Sequence, residues 1–259
     1  MNKVDMRKKE LLRMLQTSET LTVSDAAQHL GVSLPTARRL CSQLSQEGKA
    51  TRIHGGLRYL EHPESAYSFD LLSNEHVEEK TRIAKYASSL IQSNQVIFIE
   101  AGTTLRHFSI ALAERLRKQE LSNLVIFTNS LINLNILYPI QTSIMMIGGQ
   151  YRDERKDFIG YLSEMALKGL QFNYCFIGAD AISPSGGVMA MDIDTVRFDA
   201  ELVKHSEKVI ILAHSEKFKK RSLISYVSVD NVDSIITDNG LDLDTINEYR
   251  QHNVRIFAV

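Results

Sequence analysis

The chain has 259 residues, room for two domains, with 44% hydrophobic and 24% charged residues and a formal net charge of −1. No apolar run approaches the roughly 18 residues of a membrane span, and the start, MNKVDMRKKELLRML, mixes acids and bases where a secretory signal would carry an apolar core. Cys41 and Cys175 sit in apolar patterns, so buried thiols in a reducing compartment, the cytoplasm, are expected, with no membrane as partner.

The charge is unevenly spread. Residues 1–60 hold ten Lys or Arg against five Asp or Glu, and the remainder twenty against twenty-six. A basic head on an acidic body points to a polyanionic partner for the head alone.

Three helices are predicted in the first 48 residues. Leu11, Leu12 and Leu15 give the apolar side of the first. Val23, Ala26, Ala27 and Leu30 line one face of the second, and Gly31 stops it. Ser33 is placed to cap the third, with Pro35 tolerated in its first turn. In that third helix Ala37, Leu40, Cys41 and Leu44 share an inward face, leaving Arg39, Ser42 and Gln46 outward with Thr36, Arg38 and Gln43 flanking them. KATRIHGG then reads as a strand from Lys49 to His54 that turns at Gly55–Gly56, a β-wing bearing Arg52, His54 and Arg58. An outward helix with hydroxyls and arginines in its first turns suits the major groove of double-stranded DNA, where Arg donates two parallel bonds to guanine. Ser33, Thr36, Arg38, Arg39, Ser42, Gln43, Arg52 and His54 are the expected DNA-contacting residues of a domain spanning 1–60.

Residues 61–77 lack a sustained apolar period and read as a linker with a short helix. From 78 to 259 seven β-rich runs, QVIFIE, NLVIFTN, TSIMMIGG, YCFIGAD, KVIILAH, SIITD and VRIFAV, alternate with helical patterns near 78–92, 103–117, 130–137, 160–170, 195–206 and 242–251. Such alternation predicts an α/β domain with a mostly parallel sheet covered on both faces, and ligands collect at the carboxyl ends of such strands. Polar residues cluster there: Gly102, Thr103 and Thr104; Thr128, Asn129 and Ser130; Gly148, Gly149 and the nearby Arg152; Asp180; and Lys217. Freed N–H groups and hydroxyls at a helix start suit a phosphate, so a phosphorylated sugar is the expected effector. The methionine pair of IMMIGG reads as core.

Two stretches carry a family resemblance. VSDAAQHLGVSLPTARRLCSQLSQEGKATRIHGG resembles the amino-terminal domain of the DeoR family of bacterial transcriptional regulators, keeping Ser33, Thr36, Arg38, Arg39, Arg52, His54, Gly55 and Gly56 while Ala37, Leu40 and Cys41 replace the usual Ile, Asp and Leu. EAGTT, TNSL, IGG, GAD and HSEKF, over about residues 76–238, resemble the DeoR sensor domain, whose fold is similar to that of ribose-5-phosphate isomerase. The resemblance implies a winged helix-turn-helix followed by an isomerase-like α/β domain. It also implies a phosphate loop at Gly102–Thr104, a sugar-facing Asp180 and an anion-facing Lys217. Glu100 and Ala101 stand for the family's Asp-Ser, His214 for an aspartate, and Asp194–Thr195 about where the family has Asn-Glu, which brings Asp194 into the expected site.

A cytoplasmic transcriptional regulator is therefore expected, a repressor of a carbohydrate-utilisation operon acting as a homodimer or homotetramer on a DNA operator. The alternative is a sugar-phosphate isomerase with an accessory DNA-binding domain. Against it, Asp180 is followed by Ala181 where the isomerases carry Asp-Glu, leaving Asp194 as the available base. No His-Glu-x-x-His spacing, strand-linked Gly-x-Gly-x-x-Gly or P-loop lysine motif occurs, so no metal, cofactor or catalytic residue is expected.

Overall fold

The computed structural model describes residues 3–18, 20–46, 50–59, 67–140, 142–249, 251–252 and 254–259. They fall into two compact units, Met1–Leu72 and Ser73–Val259.

The head runs α1 (Lys3–Ser18), β1 (Thr20–Thr22), α2 (Val23–Leu30), α3 (Leu34–Gln46), β2 (Ala50–Ile53) and β3 (Gly56–Tyr59). Leu11 and Leu15 from α1, Ala26 from α2, and Ala37, Leu40, Cys41 and Leu44 from α3 form one core and are all essentially inaccessible. The sharp entry into α2 comes from Thr22, whose hydroxyl accepts from the Asp25 N–H at 3.1 Å, and the exit from Gly31 in the left-handed region. The wing differs from expectation in two respects. Its turn is His54–Gly55, one residue earlier, with Gly56 already paired to Ile53 in β3. It also has a third strand: β1 pairs with β3 on the far side from β2. Gly56 follows from that crossing, since a Cβ there would collide with the Leu21 carbonyl. Lys49, the Gln46 side chain and residues 61–66 of the expected linker lie outside the described residues. A short helix, α4 (Phe69–Leu72), follows.

The second unit opens with α5 (Val77–Ser89), β4 (Val96–Ile99), α6 (Thr103–Arg117), β5 (Val125–Thr128), α7 (Leu131–Leu137) and β6 (Ser143–Met146). A hairpin, β7 (Gln150–Arg152) and β8 (Asp157–Ile159), leads to α8 (Tyr161–Leu167) and β9 (Tyr174–Ile177). Next come β10 (Ala181–Ser183), β11 (Gly187–Ala190), α9 (Ile193–Lys204), β12 (Val209–Leu212), a 3-10 turn (Ser215–Lys219), β13 (Ile224–Val227), β14 (Ser234–Thr237), α10 (Leu243–Tyr249) and β15 (Arg255–Ala258).

All seven expected runs become one parallel sheet in the order β15-β14-β12-β9-β4-β5-β6. Side chains alternate between two cores. Phe98, Phe127, Cys175, Ile177, Ile211 and Ile235 pack under α8, α9 and α10, while Ile97, Ile99, Ile126, Phe176, Ile210 and Ile236 pack under α5, α6 and α7. Burial pushes the Cys175 thiol up to about 12, so it is an inert filler. A second, antiparallel sheet, β10-β11-β13, covers part of the first core. β6 is an edge strand, Met145 is 44% exposed and Met146 only partly buried, so the methionine pair is not core as its apolar run suggested. No helix among the described residues is long and apolar enough to cross a membrane.

Strand order decides where a ligand can sit. From β4 the chain steps outward through β5 and β6, then returns to β9 on the other side of β4 and steps outward again through β12 and β14. The reversal lies between β4 and β9, and the carboxyl ends of two such strands are where open α/β sheets form a ligand crevice.

Candidate functional site

In the head, Arg38 and Arg39 are both exposed on α3 because Ala37, Leu40, Cys41 and Leu44 hold its other side in the core. Ser33 precedes α3, and its hydroxyl lies 3.0 Å from that of Thr36, so the two polar groups pair in the first turn. Arg52 of β2 donates to Ser42 of α3, tying the wing to the helix. That bond engages two of the expected contacts with each other. Gln43 is half-buried and His54 stands exposed in the wing turn.

The β4–β9 crevice places Glu100, Gly102, Thr103 and Thr104 opposite Gly178 and Asp180. Glu100 is buried, and its side-chain Oε2 accepts from the Gly178 N–H at 3.3 Å. Thr103 and Thr104 open the 15-residue α6. Beside them the charge is strongly positive. Lys80 of α5 is 1% exposed, and its ammonium is pushed down to about 8 by burial, by Lys217 and, against two glutamates, by Arg106. Burial also pushes Lys217 down against the pull of Asp180, with Lys220 and Arg155 adding to the depression. His214 is buried and held down to about 3 by burial and by Lys217, His76, Lys80 and Lys220. Cations crowded near the start of a helix favour an anion beside them.

The other wall is a network of acids and arginines. Arg152 grips Asp157 through two bonds, 2.9 and 2.6 Å, and reaches Asp192 at 2.8 Å and Thr195 at 3.0 Å. Asp157 is 1% exposed, so Arg152 braces the β7–β8 hairpin, its guanidinium engaged by protein groups where its place after the IGG led one to expect a ligand contact. Arg155, three residues further on, is the guanidinium that faces Asp180, at 3.1 Å, and Asp192, at 3.1 Å. Asp192, not Asp194, is the carboxylate turned to this cluster. It caps α9 by accepting from the Thr195 N–H at 2.8 Å, whereas Asp194 is exposed in the first turn.

The TNS stretch proves to be a brace as well. Thr128 donates to the Ile99 carbonyl at 2.6 Å, Ser130 caps α7, and Asn129 donates to the Phe158 carbonyl at 3.2 Å. Asn133, which no motif marked, donates to the Glu100 carbonyl at 3.0 Å, and its own buried carbonyl oxygen has no partner. A Cβ on Gly149 would strike Ser163 and the Ile159 carbonyl, so Gly149 serves close packing, whereas Gly148 faces open space and its carbonyl accepts from Ser163.

Behind the crevice lie two buried carboxyls. Glu100 is pushed up to about 8 by burial and by Asp157, while the Gly178 N–H and Arg155 oppose the shift. Asp199 is raised for the same first reason and by Glu100. The folded state therefore binds the Glu100 proton more tightly than the unfolded chain, and stability falls as pH rises through the window from 4.5 to about 8. Glu100→Gln should match the parent's melting temperature near pH 4.5 and exceed it at pH 8, measured by thermal unfolding across that range. Parallel curves for the two proteins would show that Glu100 is not held protonated.

His76, His214 and the exposed Glu216 offer ligand atoms within 4.8 Å of one another. The two imidazoles stack, with centroids 4.4 Å and planes 21° apart, so their lone pairs run side by side and do not converge as a metal centre needs. A groove of about 1050 Å³ lies at the opposite ends of the strands, near Arg117, Asn123, Pro139 and Ser143, away from the buried charges.

A basic winged helix-turn-helix joined to an α/β unit with a polar switch-point crevice defines a DNA-binding regulator with a ligand-holding body. The profile of the DeoR-like helix-turn-helix domain matches residues 7–62, and that of the DeoR C terminal sensor domain matches residues 75–239. A lactose phosphotransferase system repressor of Lactococcus lactis subsp. lactis is 32% identical over 260 residues, 97% of this chain and 98% of the relative. A putative aga operon transcriptional repressor of Escherichia coli O157:H7 is 27% identical over 256 residues, 98% of this chain and 93% of the relative. Among solved structures, a D-ribose-5-phosphate isomerase in complex with phospho-erythronic acid aligns over 55% of this chain and 54% of that one, at 18% identity and a TM-score of 0.42. Nothing about chemistry follows from a likeness that weak. The chain belongs to the DeoR family of transcriptional regulators.

Proposed function

We propose that the protein represses a carbohydrate-utilisation operon and is released from, or locked onto, its operator by a phosphorylated sugar. The phosphate would sit at Gly102–Thr104 between Lys80 and Lys217, and the sugar hydroxyls would meet Asp180 and Arg155. The observation that carries this reading is the crowding of Lys80 and Lys217 near the start of α6, where burial and Lys217 depress Lys80 against Glu75 and Glu79, and burial depresses Lys217 against Asp180, a strain that a dianion would relieve. Relatives named as repressors of lactose and aga systems support a carbohydrate signal. The carboxylates of the crevice are each engaged by an arginine or deeply buried, which supports holding a ligand over turning it over.

The test is a melting-temperature screen of pentose and hexose phosphates, with the free sugars and inorganic phosphate as controls. A true effector at a hundred times its Kd adds about 2.7 kcal/mol, a rise of about 5–10 °C for a body of this size. Lys217→Ala and Thr103→Val/Thr104→Val should remove that rise while leaving DNA affinity without effector unchanged. Equal stabilisation by unphosphorylated sugars would defeat the phosphate assignment.

A further inference from the structure

Among the described residues, most large apolar side chains that are exposed are scattered singly, but four gather at α8 and the start of α9. Tyr161 is 67% exposed, Leu162 71%, Met165 40% and Ile193 59%. The inward side of α8 is Ser163 and Leu167, both fully buried, so the helix is anchored. Its solvent side, Tyr161, Leu162, Met165 and Ala166, carries no charge at all. A surface helix ordinarily turns its polar face to water. The ion pair of Glu164 with Arg197, at 2.8 Å, holds α8 against α9, and Ile193 lies one turn before Arg197 on the same face.

We propose that this α8–α9 face is where a second copy of the chain docks about a two-fold axis. Two observations favour a second copy over an unrelated partner. First, the rim is balanced in sign: Asp194 and Glu164 stand against Arg197 and Lys168. Arg197 and Glu164 already pair within one chain and Lys168 offsets Asp194, so the rim is close to neutral and a patch rotated onto itself meets no net repulsion. Second, the size is right for the centre of a pair. With side chains of roughly 150–200 Å² each, the four exposures leave on the order of 400 Å² of apolar surface, about half of the ~800 Å² that each partner contributes to a stable interface. The polar rim makes up the rest, as in an ordinary apolar core with a charged border. The face begins where the polar cluster ends: Asp192, which holds both Arg152 and Arg155, is the residue before Ile193. Pairing through this face stands whether or not the crevice binds a sugar phosphate.

The experiment is sedimentation equilibrium of the full chain and of its Leu162→Glu/Ile193→Glu variant, with circular dichroism as the check on folding. Both positions are exposed, so the variant should keep the parent's circular dichroism spectrum and melt lower only by the stabilisation that association gave. Its self-association should weaken by about thirtyfold or more, the weight of one central hot-spot side chain, taking a dimer to monomer or a tetramer to dimer. Should the glutamates disturb folding, Leu162→Ser/Ile193→Ser reads the same weakening. A parent that sediments as a monomer at micromolar concentration overturns the proposal. So does a folded variant whose assembly equals the parent's.

Discussion

Replacing Arg38 and Arg39 together by alanine is expected to abolish sequence-specific DNA binding while the body stays folded and ligand-competent. The arginines stand exposed on a helix whose opposite side, Ala37, Leu40, Cys41 and Leu44, is fixed in the head core. Alanine at two exposed positions removes groove-facing donors without disturbing that core. A bidentate arginine–guanine contact is worth about 1–3 kcal/mol, so removing two costs roughly 30-fold to 20,000-fold in affinity. The measurement is fluorescence anisotropy on duplexes first selected from a random pool by the parent protein, repeated across salt concentrations. If the arginines touch only phosphates, affinity falls alike on selected and unselected duplexes, and the salt slope drops by about 0.9 for each phosphate no longer neutralised. Undiminished affinity for the selected duplex would remove α3 from the groove altogether. The bond from Arg52 to Ser42 adds a rank order. Arg52→Ala loosens the wing against α3 and should weaken binding less than the double change.

The second large effect is on stability. Arg152→Met should lower the melting temperature of the body by about 6–20 °C, since breaking a buried ion pair from one side costs about 3–5 kcal/mol and each kcal/mol moves a domain of this size about 2–4 °C. The reason is Asp157. It is 1% exposed and takes two of the Arg152 bonds, so methionine leaves a buried carboxylate without its partner. Asp192 and Thr195 lose a donor as well, loosening the first turn of α9. Arg152→Lys keeps the charge but not the two-pronged geometry and should fall between. A variant that melts like the parent yet no longer responds to sugar phosphates would make Arg152 a ligand contact, as its position after the IGG suggests.

The contrast between Arg152 and Arg155 illustrates how far the residues alone can be read. Each follows a glycine-ended strand, and nothing in IGGQYRDER tells which guanidinium will find a buried acid. Lys80 makes the same point from the other side. In EEKTRIAKY it looks like one solvated charge among several, yet the fold buries it beside Lys217, which lies far along the chain. Asp192 and Asp194 differ only by which one lands at the cap of α9. Thr128 and Ser130, polar and at a strand end, look like ligand groups in one dimension, but their hydroxyls are engaged by Ile99 and by α7. The antiparallel layer of β10, β11 and β13 leaves no clear trace in the residue pattern, because strands of three or four residues give too little alternation to detect.

Short-range patterns, in contrast, carry most of the architecture. The three helices and wing of the head, the seven strands of the sheet and the helices between them follow from apolar spacing over a few residues, which fixes which side of each element is buried. The family motifs lie on those same local segments. The meeting of polar ends is a property of the assembled fold alone. The strand order reverses between β4 and β9, bringing Glu100 and Thr103 against Gly178 and Asp180 and Lys80 against Lys217. Partnership among charged groups depends on distances between segments far apart in the chain, and one dimension of residue spacing does not contain them.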